Sequence, residues 1–281
     1  MHPRNKKRPA HTPLGHAWES FENGRKLFDM RDYPGAIQVF ESALKQFQNN
    51  MESEGEAMSA SAIAAAYGNN GMHVFAIPFA EEALAAFTRL GHREQLAEQK
   101  QNMGSLYMSA DEPQKAVQSF EAAATDFEEL KNWERAGENV LTAANILARD
   151  DQLEQARDHF HRALDFFSRD DSGMSEKSRA IGLMQLAYLE KVEHDAVAAK
   201  LYYREALEIF QRLGMYWETA SCLEGMAALE YEIDELESAV AHAKEALDTY
   251  QRYGFRRDAL RAKVNYRAVS LALRQAGLEE S

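Results

Sequence analysis

A single cysteine, Cys222, among 281 residues leaves no disulfide within the chain. A lone thiol is the usage expected of a reducing compartment, and the chain reads as cytoplasmic. Proline and glycine are also scarce, at 6 and 15 residues. That scarcity disfavours folds built of many tight turns and favours long helices with short connections. No run of about 18 apolar residues occurs, so no membrane-spanning helix is expected. The opening MHPRNKKRPAHTPL is basic but lacks the apolar stretch of a secretory signal. A P-loop, a dinucleotide fingerprint, H-E-x-x-H, G-x-S-x-G and a calcium loop are all missing. The nine histidines are scattered. His159 and His161 stand two apart, which puts them on different faces of a helix and not together on a metal. These absences predict a chain that is not an enzyme and holds neither metal nor cofactor.

What is present is charge and a period. Formal net charge is −13; residues 1–14 carry four basic residues and no acid, so the remainder stands at −17. A body that acidic repels nucleic acid and anionic lipid and points to a protein or peptide as partner. The first 14 residues, with Pro3, Pro9 and Pro13, are expected to form a disordered basic arm.

One pattern recurs six times, A-L-x-x-F or a near variant: Ala43-Leu44 with Phe47, Ala83-Leu84 with Phe87, Ala123-Ala124 with Phe127, Ala163-Leu164 with Phe167, Ala206-Leu207 with Phe210, and Ala246-Leu247 with Tyr250. Seven residues before each leading alanine lies another, at 36, 76, 116, 156, 199 and 239, followed four residues on by an aromatic or an alanine. Offsets of three, four and seven share one helical face. The small alanines let a neighbouring helix approach, and the aromatics fill the space beside them. A second, weaker set precedes each copy in phase, including Asn23-Gly24, Ile63-Ala64, Met103-Gly104, Ala143-Ala144, Leu186-Ala187 and Met226-Ala227. Between the two sets fall turn residues such as RDY at 31–33, NNG at 69–71, DEP at 111–113 and RDD at 149–151. Asp32, Asp111 and Asp151 are expected to cap the helices that follow. Gly91, Gly214 and Gly254 suit left-handed C-terminal caps.

With these residues in place the sequence resembles the tetratricopeptide repeat family, most closely in Gly24, Leu27, Tyr33, Ala36-Ile37, Phe40 and Ala43-Leu44. The resemblance runs from residue 17 to 254, with a period of about 40 in place of 34, as in the longer-helix subclass found among signalling scaffolds and regulators. It implies an all-α, right-handed superhelical solenoid of six hairpins, at about 17–50, 55–91, 95–131, 133–170, 175–214 and 215–254. A capping helix at 256–277 closes it, with an apolar stripe of Leu260, Val264, Ala268 and Leu271. The interval between the fourth and fifth hairpins is longer, and its extra residues fall in the polar stretch 168–178.

The resemblance further implies that the first helix of each hairpin lines a partner-binding groove. Its places hold Trp18, Phe21, Arg25 and Phe28, then Ser61, Ala65, Gly68 and Asn69, then Gln101, Ser105 and Met108. Leu141, Asn145 and Arg149 follow, then Met184, Tyr188 and Lys191, and finally Glu224, Ala228 and Tyr231. The strongest contact residues are expected at Arg25, Phe28, Gln101, Asn145, Arg149, Tyr188, Lys191 and Tyr231. Chaperone-binding members carry lysine and asparagine where this chain has Phe21 and Arg25, so a clamp for a C-terminal carboxylate is not expected. Ser61, Ala65 and Gly68 are all small, and tight helix packing is expected to close the space they leave. Cys222, beside Leu223 and Met226, reads as a packing residue. The function that follows is a non-catalytic scaffold or adaptor for another protein or peptide. A peptide-sensing regulator is the alternative, and a nucleic-acid-associated factor using the basic arm and last helix ranks behind both.

Overall fold

A computed structural model of the chain describes residues 12–279. Among the described residues there are thirteen helices and no strand. In order they are α1 (Pro13–Asp29), α2 (Tyr33–Asn49), α3 (Ser53–Asn69), α4 (His73–Leu90), α5 (Arg93–Ser109), α6 (Pro113–Glu129) and α7 (Trp133–Arg149). Then come α8 (Leu153–Ser168), α9 (Glu176–Val192), α10 (Ala196–Arg212), α11 (Tyr216–Glu232), α12 (Leu236–Arg252) and α13 (Arg256–Glu279). The fold is an all-α helical repeat of tetratricopeptide-type hairpins. Its contacts cluster into two compact units, one running to Ile146 and the other starting at Leu147. In the first unit the strongest pairings are α1 with α2, α3 with α4 and α5 with α6. In the second they are α9 with α10, α11 with α12, and α12 with α13.

The expected basic arm lies outside the described residues as far as residue 11. Beyond that point the expectation needs correcting, because α1 begins at Pro13. Proline is tolerated in the first turn, where its missing N–H has no helical partner to lose. Thr12 caps the helix, its hydroxyl accepting from the Gly15 N–H at 3.0 Å.

All but three of the helices are 17 residues long, and the stop signal that sets this length is backbone geometry. A residue with positive φ closes the turn at Arg31, Met51, Gly71, Gly91, Asp111, Lys131 and Asp151, and again at His194, Gly214, Asp234 and Gly254. Within each run these sites are spaced by twenty. At each, the following N–H reaches back to a carbonyl five residues earlier, as Asp32 to Leu27 (2.9 Å), Glu112 to Tyr107 (2.9 Å) and Glu235 to Glu230 (2.8 Å). This is the Schellman closure, which satisfies carbonyls the helix end would otherwise orphan. The pattern revises the expected caps. Asp32 does cap α2, accepting from the Gly35 N–H at 3.0 Å. Asp111 and Asp151 are instead left-handed turn residues, and the caps next to them are Glu112 and Gln152.

The alanine and aromatic rows form the core. Ala36, Ala76, Ala116, Ala156, Ala199 and Ala239 are all fully buried, as are Ala43, Ala83, Ala123, Ala163, Ala206 and Ala246. Phe47, Phe127, Phe210 and Tyr250 are equally closed off from solvent. On the facing helices small residues make room for the rings: a Cβ on Gly24 would lie 2.7 Å from the Phe40 ring, and one on Gly104 2.9 Å from that of Phe120. Between α8 and α9 the loop is held by Asp170, whose carboxylate accepts from Ser172 and from the Ser175 N–H. Those bonds lower its pKa to about 2.

Helix α13 departs from expectation. It buries Ala262 against Ala220, Leu247 and Tyr250, with Phe255, Ala259 and Tyr266 packed alongside, and Val269 is buried as well. The stripe expected to pack is turned to solvent instead: Leu260, Val264 and Leu271 are 69%, 66% and 57% exposed. A shift of forty residues aligns α13 with α11 and gives the reason. Val264, Ala268 and Leu271 take the places of Glu224, Ala228 and Tyr231, whereas Lys263 and Arg267 stand where α11 has the buried Leu223 and Ala227. The charged pair makes the outer side of α13 a polar end to the unit, and the larger apolar residues continue the row of the preceding first helices.

Candidate partner-binding surfaces

In the first unit the candidate row runs over α1, α3 and α5. Phe21 is buried against the Phe40 ring, with centroids 5.4 Å apart, and is core instead of groove. Trp18 packs edge-on to Phe47 at 4.7 Å. Arg25 is exposed and paired with Glu22 one turn earlier at 3.2 Å. Phe28 is half-buried, with Tyr33 edge-on at 5.5 Å. Beside it a cavity of ≈ 390 Å³ opens, walled by Phe28, Met58, Ala62, Ala65 and Phe87 and rimmed by Arg25, Asp29, Gln95 and Glu98.

Along the other flank of α3 lies a second cavity, of ≈ 270 Å³, lined by Ser61, Ala64, Ala65, Gly68 and Asn69 on α3, by His73, and by Gln99, Asn102, Ser105, Leu106 and Ser109 on α5. The small residues of α3 therefore do leave a hollow, contrary to the close packing expected. Gln99 explains why it stays open. Buried at 2% exposure, it spans the gap, its carbonyl accepting from the Ser61 hydroxyl at 2.7 Å and its amide donating to the Ala80 carbonyl at 3.2 Å. A polar strut holds the two helices at a fixed separation that alanine side chains are too short to fill. Met108, at the far side, is 44% exposed.

Gln101 is committed to structure. Its side-chain carbonyl accepts from Arg135 at 2.9 Å and Asn139 at 3.4 Å, and Arg135 also pairs with Glu98 at 2.7 Å. Leu141 is buried core at 8% exposure and does not line the groove. Asn145 is half-buried and donates to the Leu141 carbonyl of its own helix at 2.9 Å. In the second unit Arg149 is exposed.

The second unit carries an aromatic and apolar row. Tyr188 is 61% exposed and Tyr231 48%. Lys191 lies near them in sequence but is not a free cation, because its ammonium bonds Glu232 at 2.7 Å. Glu224 is also occupied: it accepts from the Tyr250 hydroxyl at 3.0 Å, Arg261 at 2.8 Å and Asn265 at 3.2 Å. Between α11 and α13 is a cavity of ≈ 290 Å³ lined by Ala227, Ala228, Tyr231, Ala262, Ala268 and Val269 among others. Reasoning from sequence missed this extension onto α13; the forty-residue shift from Tyr231 to Leu271 is the signal that finds it. Cys222 is fully buried, donates to the Tyr203 carbonyl at 3.2 Å, and has its thiol pushed up to about 12 by burial. Such a thiol stays protonated and packs. Among the described residues no group of three or more His, Cys, Asp or Glu is placed to hold a metal, and no helix is long and apolar enough to cross a membrane.

Comparison with known proteins adds the following. The model of the family described as "SNAP: Soluble NSF attachment protein, SNAP" matches residues 14–166. No curated protein matches the chain in sequence. Solved structures of similar fold include BtubC (BKLC) from P. vanneervenii, at 18% identity and a TM-score of 0.64, covering 88% of this chain and 93% of that one. Aspartyl phosphate phosphatase F from Bacillus subtilis is similar at 15% identity and a TM-score of 0.61, over 96% of this chain and 75% of that one. The apo form of the quorum sensor NprR from B. thuringiensis is similar at 13% and 0.60, over 92% and 70%. At such identities the likeness establishes the fold and carries no chemistry across.

Proposed function

Since the chain belongs to the soluble NSF attachment protein family and is built of tetratricopeptide-type hairpins, we propose that it is a non-catalytic binding protein that holds another polypeptide on the row of its first helices. The observation that carries this reading is the exposed line of Tyr188, Tyr231 and Leu271, with Val264 and Ala268, above an open cavity in the second unit. Large apolar and aromatic side chains left in water at equivalent places of successive repeats have no packing role there. Their burial by a partner recovers about 25 cal/mol for each Å² of apolar surface covered. Tyrosine is also among the residues that dominate binding energy where it is buried at an interface. The family's own description names attachment to another protein, which agrees with this assignment. A responsive role, in which the bound polypeptide alters the chain's shape, is separated from a static one by small-angle scattering with and without the partner.

The test is affinity capture from the native cell with the full chain as bait, partners being identified by mass. In parallel the Tyr188→Ala, Tyr231→Ala double variant is used. A set of proteins retained by the wild type and lost from the variant, at unchanged helix content and melting temperature, is the expected result. Truncating both tyrosines should weaken the captured partner at least about tenfold, which is ~1.4 kcal/mol. An identical set on a folded variant would remove the site from this row.

A further inference from the structure

The outer side of α13 has a counterpart in the two hairpins before it. In α9, Ala180, Leu183 and Ala187 are buried in one cluster with Ala199, Tyr203 and Ala206 of α10, the second helix of that hairpin. In α11 the same places hold Ala220, Leu223 and Ala227, again buried, and Ala220 packs with Leu247 and Tyr250 of α12. A further shift of forty residues gives Leu260, Lys263 and Arg267 on α13. Among the described residues no second helix follows to cover them, and all three are exposed, Leu260 at 69%. This is the side on which a second helix packs, and it differs from the row of Val264, Ala268 and Leu271.

The side is built with charge of one sign. Arg256, Leu260, Lys263, Arg267 and Arg274 follow one another at offsets of four, three, four and seven. They therefore share one stripe of the helix, about 27 Å long at ~1.5 Å per residue. The four cations are exposed and, among the described residues, none is in an ion pair. Arg261, off the stripe, is spent on Glu224 and Asp258. The chain as a whole has the opposite sign, at −13. A helix that only closes a stack needs a polar outer face, and mixed charges supply one without self-repulsion. Here Lys263 and Arg267, one turn apart, repel each other, and Leu260 leaves apolar surface in water beside them. A partner that brings carboxylates and room for one apolar side chain relieves both.

Nucleic acid would meet the same cations, but its phosphates have no use for Leu260, and the acidic body of the chain repels a polyanion. A single helix presents its few carboxylates to the stripe alone. We infer that the outer side of α13 docks an acidic α-helix of another protein, seated where a second helix lies in the preceding hairpins. That helix sets Asp or Glu against Lys263 and Arg267. Over Leu260 it sets a small residue, because leucine here occupies a place that alanine holds in α9 and α11.

The experiment uses the full chain and a displayed library of helix-forming peptides about five turns long, randomised along one face. The library is depleted on the Lys263→Glu, Arg267→Glu double variant and then selected on wild type. Winners are expected to carry Asp or Glu four residues apart, beside Ala, Gly or Ser. By fluorescence anisotropy, with all chains at equal melting temperature, they should lose at least tenfold on the double variant and several-fold on Leu260→Ala, and weaken as salt is raised. A winner whose carboxylates are exchanged for lysine should bind the double variant better than wild type. A selection that yields no winner would overturn the inference, as would winners without acidic residues or winners held equally by the double variant. A single-stranded DNA oligonucleotide that binds wild type as tightly as the winners and is lost on the double variant would give the face to nucleic acid instead. Self-association of wild type that the double variant abolishes would give it to a second copy of the chain. The Tyr188→Ala, Tyr231→Ala variant should bind every winner as wild type does, so this inference and the reading of the tyrosine row fail separately.

Discussion

Gly71 and Lys131 occupy the same place in the twenty-residue turn ladder, with φ of 76° and 56°. Exchanging their chemistry tests whether that ladder sets the helix lengths. A Cβ built on Gly71 meets nothing within 4 Å, so Gly71→Ala creates no clash and the whole effect is in the backbone. Holding an L-residue in the left-handed region costs roughly 1–2 kcal/mol. Alanine recovers part of that, about 0.4–1 kcal/mol, by restricting the unfolded chain. The net expectation is a destabilisation of about 1 kcal/mol. Lys131→Gly runs the other way. Its turn bonds are backbone bonds, Lys131 N–H to Glu128 at 2.9 Å and Asn132 N–H to Phe127 at 2.9 Å, and glycine keeps both. Relief of the left-handed strain should leave the variant more stable by roughly 0.5–1 kcal/mol, despite glycine's greater unfolded-state freedom. Urea unfolding followed by circular dichroism reads both changes as opposite shifts of the midpoint at constant slope. A neutral Gly71→Ala, or a Lys131→Gly that loses stability, would refute the argument.

Two further outcomes follow from the core and from a buried ion pair. Ala123 is fully closed off, so Ala123→Phe should overpack its interface and cost about 1–3 kcal/mol or more in denaturant unfolding; no loss would mean the helix register is wrong. The Nδ1–H of His242 donates to the buried Glu230 carboxylate at 2.7 Å, and that bond raises the histidine's pKa above its ordinary value. A raised folded pKa gives stabilisation that is complete below the unfolded value and lost as pH climbs through the folded one. The stability difference between wild type and His242→Gln should therefore be larger near about pH 6 than near about pH 9, and a difference independent of pH would show that the pair is not ionic.

The sequence by itself determined the repeat. Alanine and aromatic rows recur at forty residues because a helix buried on one side must present its small and large side chains at three-, four- and seven-residue offsets. Each alanine of those rows is in fact fully buried. The closure of the turns was only half legible, since glycine announces a left-handed residue at 71, 91, 214 and 254, whereas Arg31, Met51 and Lys131 adopt the same conformation without any local preference for it. There the packing of the two flanking helices imposes the backbone.

Tertiary structure alone decided which residues face outward on the first helices. Phe21 and Leu141 look like contact residues by resemblance, yet they are core, and Gln101 and Lys191 are spent on partners from other helices. The hollow beside α3 depends on Gln99 reaching across to Ser61 and Ala80, a contact between residues far apart in sequence. Helix α13 makes the point most sharply. Hydrophobic spacing picks out Leu260, Val264 and Leu271 as the packing stripe, because offsets of four and seven put them on one face of the helix. Ala262 instead packs with Leu247 and Tyr250 of the neighbouring helix α12, with Ala259 and Tyr266 alongside. Hydrophobicity is a property of a residue, but burial is a property of a pair of surfaces, and only the second surface says which side of a helix is the inside.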